Sequence, residues 1–497
     1  MQNIKIKQLF INSLFYIKNH ILFFLFFIFF ILYFAIGLYI CFYNDILITS
    51  VDIFFDMDTC FAYLIPKQNI SLFENFYKHP LVYIVLRPFF LLFNAFLNSP
   101  RAGTLFMQAV FGSSTVCLIY SLINNLIKRK NISFFLSLIY GLSLSTVVFS
   151  SVYEFYIYSA FLNTLMFYYV YILWNNNVSL KIIDYFILAL LLIFSSGIIT
   201  VTCIANIILV LSLFIKKKQK IKNSVYWFLG VIILYTLNIL LVKFGYSKFF
   251  LDTSVTSPDG SPSYIFFHYD LNQLIMMIKG VFVQSFYGLN TEIGFVHDFY
   301  KTEGLLFADK QPFVLYIPSL LFFSAIIWGF IKNINKVKSS IALPLILIVI
   351  INIIECYFYN TKYCFLFSQN FLPYLIILTG IFYSRFSDKF INIFCSFFIV
   401  WECIRNFFTL SDMYEYAVLK TNEMQERTNF LSYNIFKCFI YAVISALLLA
   451  VLIFIVKNLF KNKRNLLPED NIRLYTGLSY IYMIIIAVFT LMFQGII

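Results

Sequence analysis

The chain has 497 residues, of which 61% are hydrophobic, 21% aromatic and only 12% charged. Soluble domains carry about a quarter charged residues, so a soluble enzyme is excluded and an all-α polytopic membrane protein is expected. The net charge of +13 does not mark a nucleic-acid binder, because Lys and Arg fall in short clusters between apolar runs, as orienting charges do.

The first apolar run, about Ile21 to Phe42, is longer than a signal-peptide core and no small-residue cleavage site follows it. A retained signal-anchor helix is expected there. At about 20 apolar residues per span, thirteen transmembrane helices are predicted: 21–43, 102–127, 132–151, 155–174, 181–197, 198–215, 224–243, 312–331, 340–358, 370–384, 389–407, 433–456 and 474–494. The run 80–97 carries Arg87 and Pro88 mid-segment. It is set apart as an interfacial helix lying on the membrane.

Charge supports that choice. With the N-terminus cytoplasmic, the inner segments hold 22 of the 36 Lys and Arg but only 4 of the 23 Asp and Glu. Counting 80–97 as a span would move Lys128, Arg129 and Lys130 outside and break the positive-inside pattern. The chain then divides into a transmembrane core, 1–243, whose first outer loop is 44–101. A long extracytoplasmic loop, 244–311, and C-terminal transmembrane helices, 312–497, follow. The nine Cys contain no C-x-x-C pair, so neither a zinc site nor a disulfide framework is expected.

The outer face gathers the residues with chemistry. Asp56 and Asp58 stand just past the first span, where a carboxylate can take a proton from a hydroxyl or hold a divalent cation. Asp58 could equally cap a short helix. His79 and Pro80 open the interfacial helix, and Pro suits a first helical turn. Glu154 occupies a corner between two apolar spans, among Tyr153, Tyr156 and Tyr158. It is either a site residue or a solvated corner. Arg87, Arg101 and Lys362 sit at the outer interface, where a cation grips a lipid phosphate or snorkels to the headgroups. His268 and His297 share the long loop with Asp270, Glu292 and Asp298, and ordinary loop roles are favoured for them.

In order, these features are a cytoplasmic stub, one helix, Asp56-Met57-Asp58, His79-Pro80-Leu81 opening a surface helix, Asn98-Ser99-Pro100-Arg101, a basic inner turn and the acidic Tyr-rich corner. This order resembles the GT-C superfamily of membrane glycosyltransferases, in particular family-39-like members such as aminoarabinose transferases and protein O-mannosyltransferases. Lys362-Tyr363 followed by Pro373 is similar to the family's later segment that contacts lipid phosphate. The second acidic position lacks the family's usual Pro or Arg neighbour, and the long loop matches no family pattern.

The resemblance implies a GT-C-like fold in the inner membrane of a bacterial cell envelope. It implies sugar transfer from a polyprenyl-phosphate donor to a hydroxyl of a glycan, lipid or protein acceptor. Asp58 or Asp56 would be the base of an inverting reaction, with Glu154 beside it. His79, Arg87, Arg101, Lys362 and Tyr363 would bind substrate, and Asp56 and Asp58 would be the ligands of any divalent metal. Two other readings stand beside it: an O-antigen-type polymerase or ligase relying on loop His and Arg, and a transporter or lipid flippase. A transporter predicts charges deep inside spans, and Glu355 and Glu402 are the only acids well within apolar runs, both near predicted outer ends.

Overall fold

Within a bilayer the backbone must satisfy its own hydrogen bonds, so long apolar runs can only be helices. A computed structural model describes residues 21–49, 53–55, 57, 59, 81–176, 179–199, 202–219, 221–245, 271–295, 303–337, 340–359 and 364–425. Over these residues the protein is largely helical. The first half comprises α1 (Ile21–Cys41), the short α2 (Ile46–Thr49), α3 (Val82–Leu97), α4 (Pro100–Ile127), α5 (Lys130–Leu142), α6 (Leu144–Ser151), α7 (Tyr156–Asn175), α8 (Ile182–Ile198), α9 (Thr202–Lys216) and α10 (Ile221–Gly245). The second half comprises α11 (Leu271–Lys279, continued by a π-turn over Gly280–Gln284), α12 (Ile317–Val337), α13 (Ala342–Tyr359), α14 (Ser368–Tyr383) and α15 (Asp388–Gln425). Between α11 and α12 lies an antiparallel hairpin, β1 (Thr291–Phe295) and β2 (Glu303–Phe307).

Among the described residues, five helices are long and apolar enough to cross a membrane: α1, α4, α7, α12 and α15. The pair α5–α6, bent by 58°, makes a sixth if it is one broken span. Helices α8, α9, α10 and α13 contribute shorter apolar stretches. The expected spans 433–456 and 474–494 lie outside the described residues.

Local sequence explains the turns. Asn98 takes the left-handed conformation (φ 49°) that ends α3, a conformation short polar side chains tolerate. The Ser99 hydroxyl then accepts from the Ala102 amide at 3.3 Å, with Pro100 in the first turn of α4. Helix α3 starts where the Leu81 amide donates to the Gly197 carbonyl at the end of α8, 2.8 Å away. It packs along α4, with Phe89 against Phe111 and both Phe93 and Phe96 against Phe106. Leu91, Leu92 and Phe96 of α3 are exposed, an apolar surface suited to lipid.

Side-chain contacts sort the connections into two opposite ends. At one end Arg129 donates to the Ser384 and Phe386 carbonyls and pairs with Asp388, while Lys217 reaches the Asn176 carbonyl. This basic end is where the charge count put the inner loops. At the other, loop-rich end, the hairpin packs against the distal half of α15. Thr291 donates to Asp412 at 2.6 Å, and Lys420 pairs with Glu303 at 3.0 Å. Helix α15 has 38 residues, about 57 Å at 1.5 Å per residue. It therefore outruns the expected span 389–407 and stands well beyond a hydrocarbon core of about 30 Å.

At the centre is α14, buried at every position except Ile381. It packs against α4, α5, α7, α12 and α13. A helix apolar on all sides belongs in a core. Around it the bundle is close-packed through glycine: a Cβ on Gly37 would lie 2.7 Å from the Ser151 carbonyl oxygen, and one on Gly112 would lie 2.7 Å from Ser150 Cβ. Small residues let membrane helices approach in this way.

We predict that Gly112→Val lowers stability by about 1–3 kcal/mol through overpacking. Gly230→Ala, with nothing within 4 Å of the new methyl, should leave stability unchanged or raise it. Thermal unfolding in detergent reads both, and equal melting temperatures for the two variants would contradict the packing described.

Candidate functional site

Helix α6 ends at Ser151, Val152 turns extended, and α7 begins at Tyr156. The corner between them is clamped from the side. Gln108 of α4 is fully buried and donates to the carbonyls of Val152 (2.6 Å) and Glu154 (3.0 Å). Glu154 itself is only 2% exposed, so the solvated-corner alternative does not hold. One of its carboxylate oxygens accepts from the Phe155 amide at 2.7 Å. That places the carboxyl group against the N-terminus of α7, where amide donors and the helix dipole favour an acceptor.

The corner is rich in polar atoms that the protein leaves unused. Gln108 Oε1, Ser150 Oγ, Ser151 Oγ and Tyr158 Oη are all buried without a hydrogen-bond partner. Tyr158 also interacts electrostatically with Glu154. An unpaired buried polar atom costs roughly 1–3 kcal/mol, and native proteins keep few of them. Unused polar atoms on residues bordering a buried carboxylate are an arrangement suited to receiving a polar group.

A chain of aromatic rings joins this corner to two other candidate segments. Phe54 makes an isolated parallel bridge to Leu305 of the hairpin: the Phe55 amide donates to Leu305 O and the Leu305 amide to Ile53 O, each at 2.9 Å. Phe55, left-handed at φ 48°, stacks on Phe307 at 4.2 Å and meets Phe365 at 5.1 Å. Phe365 contacts Phe149 of α6 at 5.4 Å, and Phe149 contacts Tyr156 at 5.6 Å. Phe55 directly precedes Asp56, Phe365 follows Tyr363 by two positions, and Tyr156 follows Glu154 by two. Met57 and Thr59, which flank Asp58, are fully buried.

Of the other expected site residues, Arg101 pairs with Asp45 and donates to the Phe42 carbonyl at 2.8 Å. It thus ties the end of α1 to the start of α4. Arg87 is half-buried on α3, next to the fully buried Leu86. Asp56, Asp58, His79, Lys362 and Tyr363 lie outside the described residues, as do His268, Asp270, His297 and Asp298. Glu292 accepts from the Asp309 amide at 3.3 Å and straps the end of the hairpin. Among the described residues no group of three or more His, Cys, Asp or Glu side chains could hold a metal ion. The Asp56–Asp58 pair expected to bind one is not among those residues.

A second buried acid emerges in α15. Glu402 is 0% exposed and neither carboxylate oxygen has a hydrogen-bond partner. The sequence placed it near the end of a span, but the helix continues to Gln425, so Glu402 lies inside it. Gln108 was missed as well. A lone amide in a span has no sequence signature, and the aromatic chain is hidden among 64 Phe and 36 Tyr. No protein-family model matches this chain, and no curated protein matches it either.

Gln108→Leu should destabilise the protein by about 1–3 kcal/mol, because two buried carbonyls lose their donor. Arg101→Met, breaking a partly exposed ion pair, should cost no more than about 1 kcal/mol. Melting temperatures in detergent rank the two, and the reverse ranking would contradict the clamp at the corner.

Proposed function

We propose that this chain is a GT-C-like membrane glycosyltransferase, moving a sugar from a polyprenyl-phosphate donor to an acceptor hydroxyl at its loop-rich end. The observation that carries the reading is the aromatic chain Phe307–Phe55–Phe365–Phe149–Tyr156. It gathers the flanks of the Asp56–Asp58 motif, the Lys362–Tyr363 segment and the Glu154 corner into one region. The loop-rich end faces away from the basic clusters, which fits an outward site in a bacterial inner membrane with the N-terminus cytoplasmic.

In this scheme the acceptor hydroxyl attacks the sugar C1 as Asp58 or Asp56 takes its proton. The bond from C1 to the phosphate oxygen breaks with inversion, and the polyprenyl phosphate leaves with the electron pair. A positioned base contributes about 10²–10⁴-fold. Lys362, Arg87 and His79 would hold the phosphate end of the donor, where guanidinium and ammonium groups offset its growing charge. The unused polar atoms around Glu154 would meet sugar or acceptor hydroxyls. Asp56 and Asp58 would also be the ligands of a divalent cation, whose contribution would be to neutralise phosphate charge.

One observation favours the transporter reading: an unpaired carboxyl buried inside α15 is the kind of group that marks ion paths. The two readings separate by mutation. The double variant Asp56→Asn/Asp58→Asn should abolish the protein's surface-glycan product while membrane insertion persists, and Glu154→Gln should reduce it at least tenfold. Glu402→Gln should leave the product intact. Mass spectrometry of surface glycans reads all three. Undiminished product from the double variant would overturn the transferase reading, and loss of product from Glu402→Gln alone would shift the assignment toward transport.

A further inference from the structure

We propose that the basic end of the bundle binds one anionic phospholipid, with an acyl chain in the cleft between α9 and α10 and the phosphate at Lys216, Lys218 and Gln219. The cleft is open and about 230 Å³ in volume. Its walls are apolar: Leu211, Phe214 and Ile215 come from α9, and Val225 and Phe228 from α10. Ile215 is 77% exposed and Val225 48%, so the protein leaves this surface to its surroundings. Beside a helix that crosses a bilayer, those surroundings are acyl chains. Trp227 packs edge-on against Phe214 at 5.5 Å and donates to the Tyr185 carbonyl at 2.9 Å, an amphipathic ring of the kind that marks the headgroup level.

The rim of the cleft offers donors and positive charge. Lys216 directly follows Ile215, and Lys218 directly precedes Gln219, so both lysines flank lining residues. Both are exposed, and neither pairs with an acid among the described residues. Lys216 instead lies over the Trp174 ring, 5.6 Å from its centroid. Gln219 has its side-chain oxygen taken by the Tyr185 hydroxyl at 2.9 Å, which leaves its NH₂ group to offer. That selects an acceptor over a cation.

The backbone removes what would repel an anion. The amides of Lys217, Lys218 and Gln219 turn back to the carbonyls of Leu213, Ile215 and Phe214 at 2.8, 3.0 and 3.0 Å. Lys218 takes the left-handed conformation (φ 50°) that this closure needs. Carbonyls at the end of α9 are therefore capped rather than aimed at the rim. Asp184, next to Tyr185, is also occupied: it accepts from the Tyr169 hydroxyl and the Lys181 amide, each at 2.7 Å. No other acid falls between it and Asp252. An apolar slot with a cationic, donor-rich mouth matches an anionic lipid, whose chain and headgroup need both parts.

The test uses the full-length protein in detergent, stripped of lipid and titrated with phosphatidylglycerol or with phosphatidylcholine of the same acyl chains. Native mass spectrometry counts the bound lipid. The wild-type protein should take one phosphatidylglycerol about tenfold more tightly than phosphatidylcholine. Lys216→Gln/Lys218→Gly should lose that preference, and glycine keeps the left-handed turn. Val225→Trp, which fills the cleft, should weaken both lipids. Lys332→Gln/Lys389→Gln, which removes the same charge elsewhere at the basic end, should retain the preference. Inorganic phosphate, lacking a chain, should not displace the lipid. Equal wild-type affinity for the two lipids, an undiminished preference in the first double variant or an equal loss in the second would overturn the proposal. So would unaltered binding by Val225→Trp or displacement by phosphate. Because bound lipid is read directly, the outcome does not depend on glycan transfer.

Discussion

The break in the chain at Ser143 is the constraint around which the bundle is arranged. A helix interrupted among apolar neighbours exposes amides and carbonyls where water is not there to satisfy them, at a cost of several kcal/mol each. Here distant segments supply the partners. The Leu144 amide donates to Phe286 O at 2.7 Å, the Ser145 amide to Ser285 O at 3.3 Å, and the Leu142 carbonyl accepts from Asn406 at 2.6 Å. Gln369 of α14 donates to the hydroxyls of Ser145 and Thr146 and accepts from Tyr140. The bend therefore exists only when α14, α15 and the segment after the π-turn are all in place. Through the bend, α6 is aimed so that its end becomes the Glu154 corner.

The same segments are stitched to one another. Asn406 accepts from the Gly288 amide at 2.8 Å while donating toward Leu142, and Arg405 donates to the Gly288 carbonyl at 3.0 Å and to Asn290 at 2.9 Å. Gly288 is required by this closeness, since a Cβ there would lie 2.9 Å from the Arg405 carbonyl and 2.7 Å from Thr409 Cβ. Every hydrogen bond in this seam links residues more than a hundred positions apart in sequence. Residues 285–290 therefore belong to the packed body of the protein, however loop-like their composition.

What could be read from the sequence follows from which signals are local. Apolar runs and the Asn98-Ser99-Pro100 cap are local, and the helices they announce are present. Glu154 was visible as an acid in an apolar hairpin, but the backbone of its corner is held by Gln108 from another helix. The bend at Ser143 was hidden because 132–151 is evenly apolar with scattered Ser, and nothing in it contrasts with a straight span. The extension of α15 was hidden for the opposite reason. After Phe408 the composition turns polar, which looks like a loop, while Tyr414, Tyr416 and Lys420 are spaced to pack against α1 and the hairpin. The two strands are five residues each and are held by distant partners, the Phe54–Leu305 bridge and the contacts with α15, which no local pattern announces.

Helix α15 joins two environments in one rigid rod. Its lower part lies among apolar helices, and its upper part carries the hairpin through Asp412, Tyr416 and Lys420. A rod of about 57 Å that tilts by about 5° moves its tip by roughly 5 Å. Transmembrane helices adjust tilt when the bilayer is thinner or thicker than their apolar length. A change of bilayer thickness that tilted α15 would thus reach the hairpin, and the Phe55 segment bridged to it, as a mechanical input.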